Sequence, residues 1–141
     1  LSGEFKNWMT VEADRLSAAH AAVLRDGFTN ENRDELFRAA HDIKGQAATF
    51  GFPAVASAAD SLCRLIEYTP DATQIPFRLV DQHVDAVRAI YREYSRSDAQ
   101  DLAMILTVRL RDVTDEFLIH ENRDRPDILE QITGGPGVIP E

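Results

Sequence analysis

Apolar residues recur along this chain at spacings of three and four, and no stretch keeps the every-second-residue alternation of a half-buried strand. The reading is therefore helical almost throughout. Phe5, Met9, Leu16, Ala19 and Val23 share one face of a first helix running roughly from Glu4 to Arg25, with Thr10 a candidate break and Gly27 a left-handed stop. A second helix is expected to start near Asn32, where Asn32 and Glu35 have the spacing of a capping box. Leu36, Ala40, Ile43, Ala47 and Phe50 form its buried stripe, and Gly51 closes it. Pro53 pre-sets the first turn of a third helix, which reaches about Tyr68 and buries Val55, Ala59, Leu62 and Ile66. After a Thr69-Pro70-Asp71 turn, a fourth helix spans roughly Pro76 to Tyr94, with Val80, Val84, Val87, Tyr91 and Tyr94 in register. Ser97-Asp98-Ala99-Gln100 makes another capping box and opens a fifth, whose inward residues read as Leu102, Leu106, Leu110, Val113 and Phe117.

Short loops between amphipathic helices favour antiparallel neighbours, so the expected fold is all-α: an antiparallel up-down four-helix bundle with an additional C-terminal helix. Residues 1–97 make the bundle, 98–120 the appended helix and 121–141 a flexible tail, because the periodicity dissolves after Glu121 and Gly134-Gly135-Pro136-Gly137 looks unstructured. Charge marks the same boundary. Residues 1–97 hold 14 acidic and 11 basic groups, whereas residues 98–141 hold 10 and 4. The net charge of −9 argues against nucleic acid or an anionic membrane as partner, since both call for basic surface. No apolar run approaches the roughly 20 residues that span a bilayer. The single cysteine, Cys63, forbids an intrachain disulfide, reads as a small buried hydrophobe and fits a cytoplasmic location.

The chemistry concentrates on the second helix. Plotted at about 100° per residue from the middle of its buried stripe, His41 falls near 140°, Gly45 near 180°, Ala48 near 120°, Phe37 near 100° and Lys44 near 80°. An exposed histidine is thus flanked by a lysine three residues on and a glycine four residues on. An imidazole titrates at about 6.5, so near neutral pH a ring nitrogen can act as a nucleophile. Lys44, one turn away, puts a cation near that nitrogen, where it can stabilise negative charge on a group attached there. Gly45, at a cost of about 1 kcal/mol relative to alanine, leaves room for another protein to approach. Phe37, Ala48 and Phe52 offer apolar docking surface around the polar target. A bland alternative has Gly45 permitting close helix packing and Lys44 simply solvated. His20 and His120 read as ordinary surface residues, and His83 as a satisfied core histidine.

The segment Leu36-Phe37-Arg38-Ala39-Ala40-His41-Asp42-Ile43-Lys44-Gly45-Gln46-Ala47-Ala48-Thr49-Phe50-Gly51-Phe52 resembles the signature of histidine-containing phosphotransfer (HPt) domains, over a surrounding span of roughly residues 4–95. The resemblance implies a phosphorelay intermediate. Such a protein accepts a phosphoryl group on His41 from the aspartyl phosphate of a receiver domain and passes it to another, with Lys44 supporting the phosphate and Gly45 providing clearance. It implies a carrier more than an enzyme, with no cofactor of its own and Mg²⁺ in the receiver partner. The implied partners are receiver domains of hybrid histidine kinases and response regulators, and the chain is expected to be a monomer. Some family members carry a glutamine or glutamate 22 positions after the histidine to orient its ring; here that position is Cys63, and Asp60, Glu67 or solvent are the substitutes. Three alternatives stand beside this reading: the phosphoacceptor (P1-type) domain of a chemotaxis-type histidine kinase, a structural or adaptor bundle, and a metal-binding bundle. The last is disfavoured because di-iron bundles need paired Glu-x-x-His segments, which this sequence lacks.

Overall fold

The computed structural model describes residues 2–93 and 97–134, with side chains for 7–93 and 101–134. Among these, all regular structure is helical: α1 (Ser2–Asp26), α2 (Asn30–Phe50), α3 (Pro53–Glu67), a 3₁₀ turn (Ala72–Gln74), α4 (Phe77–Glu93), α5 (Ser97–Glu121) and α6 (Pro126–Gly134). Each of the first four helices packs on the next, and α4 returns to α1, closing an up-down four-helix bundle. α5 lies against α3 and α4, and α6 folds back on α5. The side chains of Phe5, Tyr94 and the Ser97–Gln100 capping box fall outside the described residues.

Local chemistry sets the ends of the helices. α1 runs unbroken through Thr10, whose hydroxyl meets that of Tyr91 on α4 instead of interrupting the helix. Gly27, at φ 82°, stops it. The N-cap of α2 is Thr29, not Asn32: its hydroxyl accepts the Asn32 backbone N–H at 3.1 Å. Asn32 lies inside the first turn and turns its amide back to donate to the carbonyls of Gly27 (3.0 Å) and Ala22 (3.3 Å), tying α2 to the end of α1. Gly51, at φ 80°, closes α2 with Phe52 N–H on the Ala47 carbonyl, and Pro53 starts α3.

Of the expected core stripe of α2, Leu36, Ala40, Ile43 and Ala47 are fully buried, whereas Phe50 at the helix end is half-buried beside Trp8. α3 is buried on more than one face because α2, α4 and α5 all surround it; Ala54, Ala58, Ser61, Cys63 and Leu65 join the expected Val55, Ala59, Leu62 and Ile66. A buried polar knot joins three helices. His83 Nδ1–H donates to the Leu79 carbonyl at 2.7 Å, the Ser61 hydroxyl reaches His83 Nε2 at 2.8 Å, and Thr114 Oγ1 lies 3.3 Å from the same nitrogen while donating to the Leu110 carbonyl. Each polar atom in the knot is satisfied, as burial requires.

α5 turns a different face inward from the expected leucine stripe. Ala103, Thr107, Thr114 and Leu118 are buried, whereas Leu102, Leu106 and Val113 are 58%, 54% and 51% exposed; Leu110 and Phe117 are half-buried. Turning Thr114 inward seats its hydroxyl beside Ser61 and His83, with its proton on the Leu110 carbonyl. It also sets Arg111 and Asp115 against Asp60 and Arg64 of α3. Part of the expected tail is ordered as well. Pro126 opens α6, Ile132 is buried, and Arg64 donates to the Ile132 carbonyl at 2.9 Å. Asn122, also buried, donates to the Tyr68 carbonyl at 2.7 Å and fixes the end of α5 to the α3–α4 connection. Of the Gly134-Gly135-Pro136-Gly137 segment, Gly134 ends α6 and the rest lies outside the described residues.

Two measurements check this packing. Leu118→Ala is expected to lower unfolding free energy by about 2–4 kcal/mol, while Leu106→Gln changes it by under about 0.5 kcal/mol, in urea titrations. Burial holds the His83 ring neutral and lowers its pKa from 6.5 to about 4. The unfolded chain therefore takes up this proton first as pH falls. The stabilisation linked to a neutral ring is complete above about 6.5 and disappears towards pH 4, a loss of about 3 kcal/mol. The stability difference between wild type and His83→Gln should accordingly shrink by about that amount between pH 7 and 4.

Candidate functional site

Because Leu36, Ala39, Ala40, Ile43 and Ala47 turn inward, Arg38, His41, Lys44, Gly45 and Ala48 on the other side of α2 face water. His41 is 63% exposed at its side chain. Phe37, one turn earlier and half-buried, stacks on the imidazole with ring centroids 5.9 Å apart and planes 25° off parallel. Asp42 Oδ1 stands 4.0 Å from Nδ1, too far for a hydrogen bond. The ring is thus braced on one side by an aromatic face and left with its nitrogens accessible.

Gly45 is exposed, and a methyl group added there would meet nothing within 4 Å outside its own helix. Its φ lies outside the left-handed region, so the position has no conformational need for glycine. Close helix packing is therefore not the reason for it. The missing side chain leaves open space next to the imidazole.

Lys44 does not reach toward His41. It leans to α3, where Nζ pairs with Asp60 Oδ1 at 2.9 Å. That hydrogen bond, opposed by partial burial, raises the lysine pKa above its usual value, so the ammonium charge is retained. Asp60 also binds Arg111 of α5, through Oδ2 at 3.0 Å. Among the described residues, the His41 ring forms no hydrogen bond with Asp60, Glu67 or Cys63. Cys63 is buried, and desolvation pushes its thiol up to about 12, leaving it an uncharged core group. Neither Asp60 nor Glu67, the protein groups considered as substitutes, orients the ring by a hydrogen bond; Phe37 is what touches it.

Two grooves flank this ridge. Between α2 and α3 an apolar groove is lined by Ala48, Phe52, Pro53 and Ala56, with Lys44 and Asp60 at its polar edge. Between α1 and α2 a polar groove carries Trp8, Glu12 and Arg15 beside His41, Gly45 and Thr49. Ala48 and Phe52 thus come together on one side, while Phe37 belongs to the imidazole itself. Arg15 and Trp8 are the residues that helix-by-helix reading does not find. Arg15 binds Asp42 at 2.6 Å and Glu35 at 3.1 Å, with Glu12 at 3.7 Å. It orders the acidic side chain next to the histidine, and its own charge is held more firmly by those carboxylates. The only available signal was the first helix's polar face, which carries no motif.

The other histidines are placed differently. His83 is sealed in the core, His20 pairs with Asp81 of α4 at 2.5 Å and is only part-exposed, and His120 is exposed near the end of α5. Among the described residues no helix is long and apolar enough to cross a membrane.

Compared with known families, the chain matches the family model described as Hpt domain over residues 4–132, past the bundle and into α6. No curated protein and no solved structure gives a significant match. An all-helical bundle together with a match over nearly the whole sequence places this chain in the Hpt domain family, whose members carry phosphoryl groups on histidine in two-component phosphorelays.

Proposed function

We propose that His41 is the phosphorylated residue, and that the chain accepts a phosphoryl group there from the aspartyl phosphate of one receiver domain and passes it to another. The observation that carries this reading is the pairing of an accessible imidazole with open space at Gly45. Of the four histidines, His41 alone combines exposure with a cleared neighbour on the same helix face.

In the forward step an unprotonated ring nitrogen attacks phosphorus, the bond from phosphorus to the aspartyl oxygen breaks, and the receiver's carboxylate departs with the electron pair. The proton on the other ring nitrogen can then pass to solvent from the cationic phosphoimidazole. Donation reverses these events on the carboxylate of a second receiver. Little covalent chemistry is asked of the carrier, so its contribution is position and charge. Phe37 limits how the ring can tilt. Lys44, about one turn away, supplies a cation that can swing from Asp60 to the incoming phosphoryl oxygens, an interaction strengthened when docking excludes water. Ala48 and Phe52 give a receiver an apolar surface beside the target. The Mg²⁺ that such a transfer uses belongs to the receiver's acidic pocket, and the carrier holds no cofactor of its own.

The test is phosphotransfer from a panel of phosphorylated receiver domains to the purified chain. His41→Gln should abolish the phosphorylated band; transfer that persists at the wild-type rate refutes the assignment. Gly45→Ala should raise stability by up to about 1 kcal/mol, because nothing crowds the new methyl. Gly45→Glu should stay folded by circular dichroism yet slow transfer at least about tenfold, equivalent to about 1.4 kcal/mol at the transition state. Undiminished transfer in folded Gly45→Glu removes the clearance argument.

A further inference from the structure

The Lys44–Asp60 contact is the first link of a longer chain of charges. Asp60 Oδ1 takes Lys44 Nζ at 2.9 Å and Asp60 Oδ2 takes Arg111 Nη1 at 3.0 Å. Arg111 Nε then lies 3.4 Å from Asp115 Oδ2, and Asp115 Oδ1 takes Arg64 Nη2 at 3.2 Å. The same Arg64 nitrogen donates to the Ile132 carbonyl at 2.9 Å. Signs alternate from the histidine-bearing helix through α3 to α5, and the last link ends on the backbone of α6. Among the described residues, no other ion pair or hydrogen bond links Lys44 to the C-terminal helices.

One carboxylate shared by two cations divides its attraction between them. While Arg111 occupies Oδ2, part of the Asp60 charge is neutralised and Lys44 is held less tightly. Without Arg111 the full carboxylate charge falls on Lys44. These links are only partly buried, with Asp60 at 27% and Arg111 at 33% side-chain exposure, so each is modest in strength. A modest grip suits a lysine that has to leave one anion for another.

We propose that Asp60 and Arg111 are positioning residues which, through Lys44, set how readily the lysine engages a phosphoryl group on His41, so that α5 tunes the lifetime of the phosphorylated state. This rests on the assignment of His41 given above. Arg111 acts at a distance from the imidazole, by adjusting the competitor for Lys44. α5 in this account belongs to the working unit as well as to the packing of the bundle.

The test needs no partner protein. The full chain is phosphorylated with phosphoramidate, which gives up its phosphoryl group to the imidazole with release of ammonia. After removal of the donor, phosphohistidine decay is followed by ³¹P NMR or intact mass. His41→Gln serves as the blank, so failure of wild type to form His41-dependent phosphohistidine refutes the site assignment itself and is distinguishable from failure of the present inference. Given a phosphorylated wild type, Arg111→Gln should shorten the half-life roughly two- to threefold, the scale of a partly exposed ion pair. Arg111→Lys should restore it, and Asp60→Asn should lengthen it or leave it no shorter than wild type. In a Lys44→Ala background the Arg111 and Asp60 substitutions should have no further effect. Equal half-lives in wild type and Arg111→Gln, or the same shift with and without Lys44, overturn the proposal. Thermal melts identify any variant that loses the fold. If Arg111→Gln does, Asp60→Asn alone decides: a half-life shorter than wild type, or one that changes without Lys44, counts against the proposal.

Discussion

α2 can show an imidazole to solvent because its opposite face is committed to the core. Leu36, Ala40, Ile43 and Ala47 are all fully buried, and they fix the rotation of the helix about its own axis. A helix has no soft way to turn one residue outward alone, since successive side chains are locked about 100° apart. Rolling α2 enough to hide His41 would bring Ile43 or Ala47 into water and lose the burial that holds the bundle together. The position of the ring is thus a consequence of hydrophobic packing two residues away. Phe37 then adds the finer constraint of an aromatic plane against the imidazole.

The same reasoning explains why polar groups are tolerated deep in the bundle. His83 could be charged only at high cost where it lies, and the structure keeps it neutral between the Leu79 carbonyl and the Ser61 hydroxyl. Thr114 on α5 lies against this pair with its own proton given to the Leu110 carbonyl, so it is buried there without an unmet polar group. Leu102, Leu106 and Val113 point outward, while Ala103, Thr107, Thr114 and Leu118 turn inward.

Much of this was legible in the chain, and the gaps have physical causes. The buried stripe of α2, the glycine stops at Gly27 and Gly51, the proline start of α3 and the exposure of His41 are all properties of neighbouring residues on one helix, which periodicity captures. The N-cap of α2 was misplaced because Thr29 and Asn32 both suit a cap, and the choice depended on Asn32 finding carbonyls at the end of α1. The face of α5 depended on partners on α3 and α4, and α6 on a carbonyl contact with Arg64. The direction of Lys44 was hidden for the same reason. A lysine three residues after a histidine lies beside it on any helical plot, yet its long stem reached for Asp60 on the next helix.

That last difference bears on how such a site works. With His41 as the phosphorylated residue, as proposed, a lysine parked permanently against the imidazole would hold the phosphoryl anion tightly and oppose its onward transfer. A lysine resting on a carboxylate engages that anion only in competition with the carboxylate, and such a divided hold suits a group that is taken up and given away again. Asp60 provides such a hold, shared between α2 and α5.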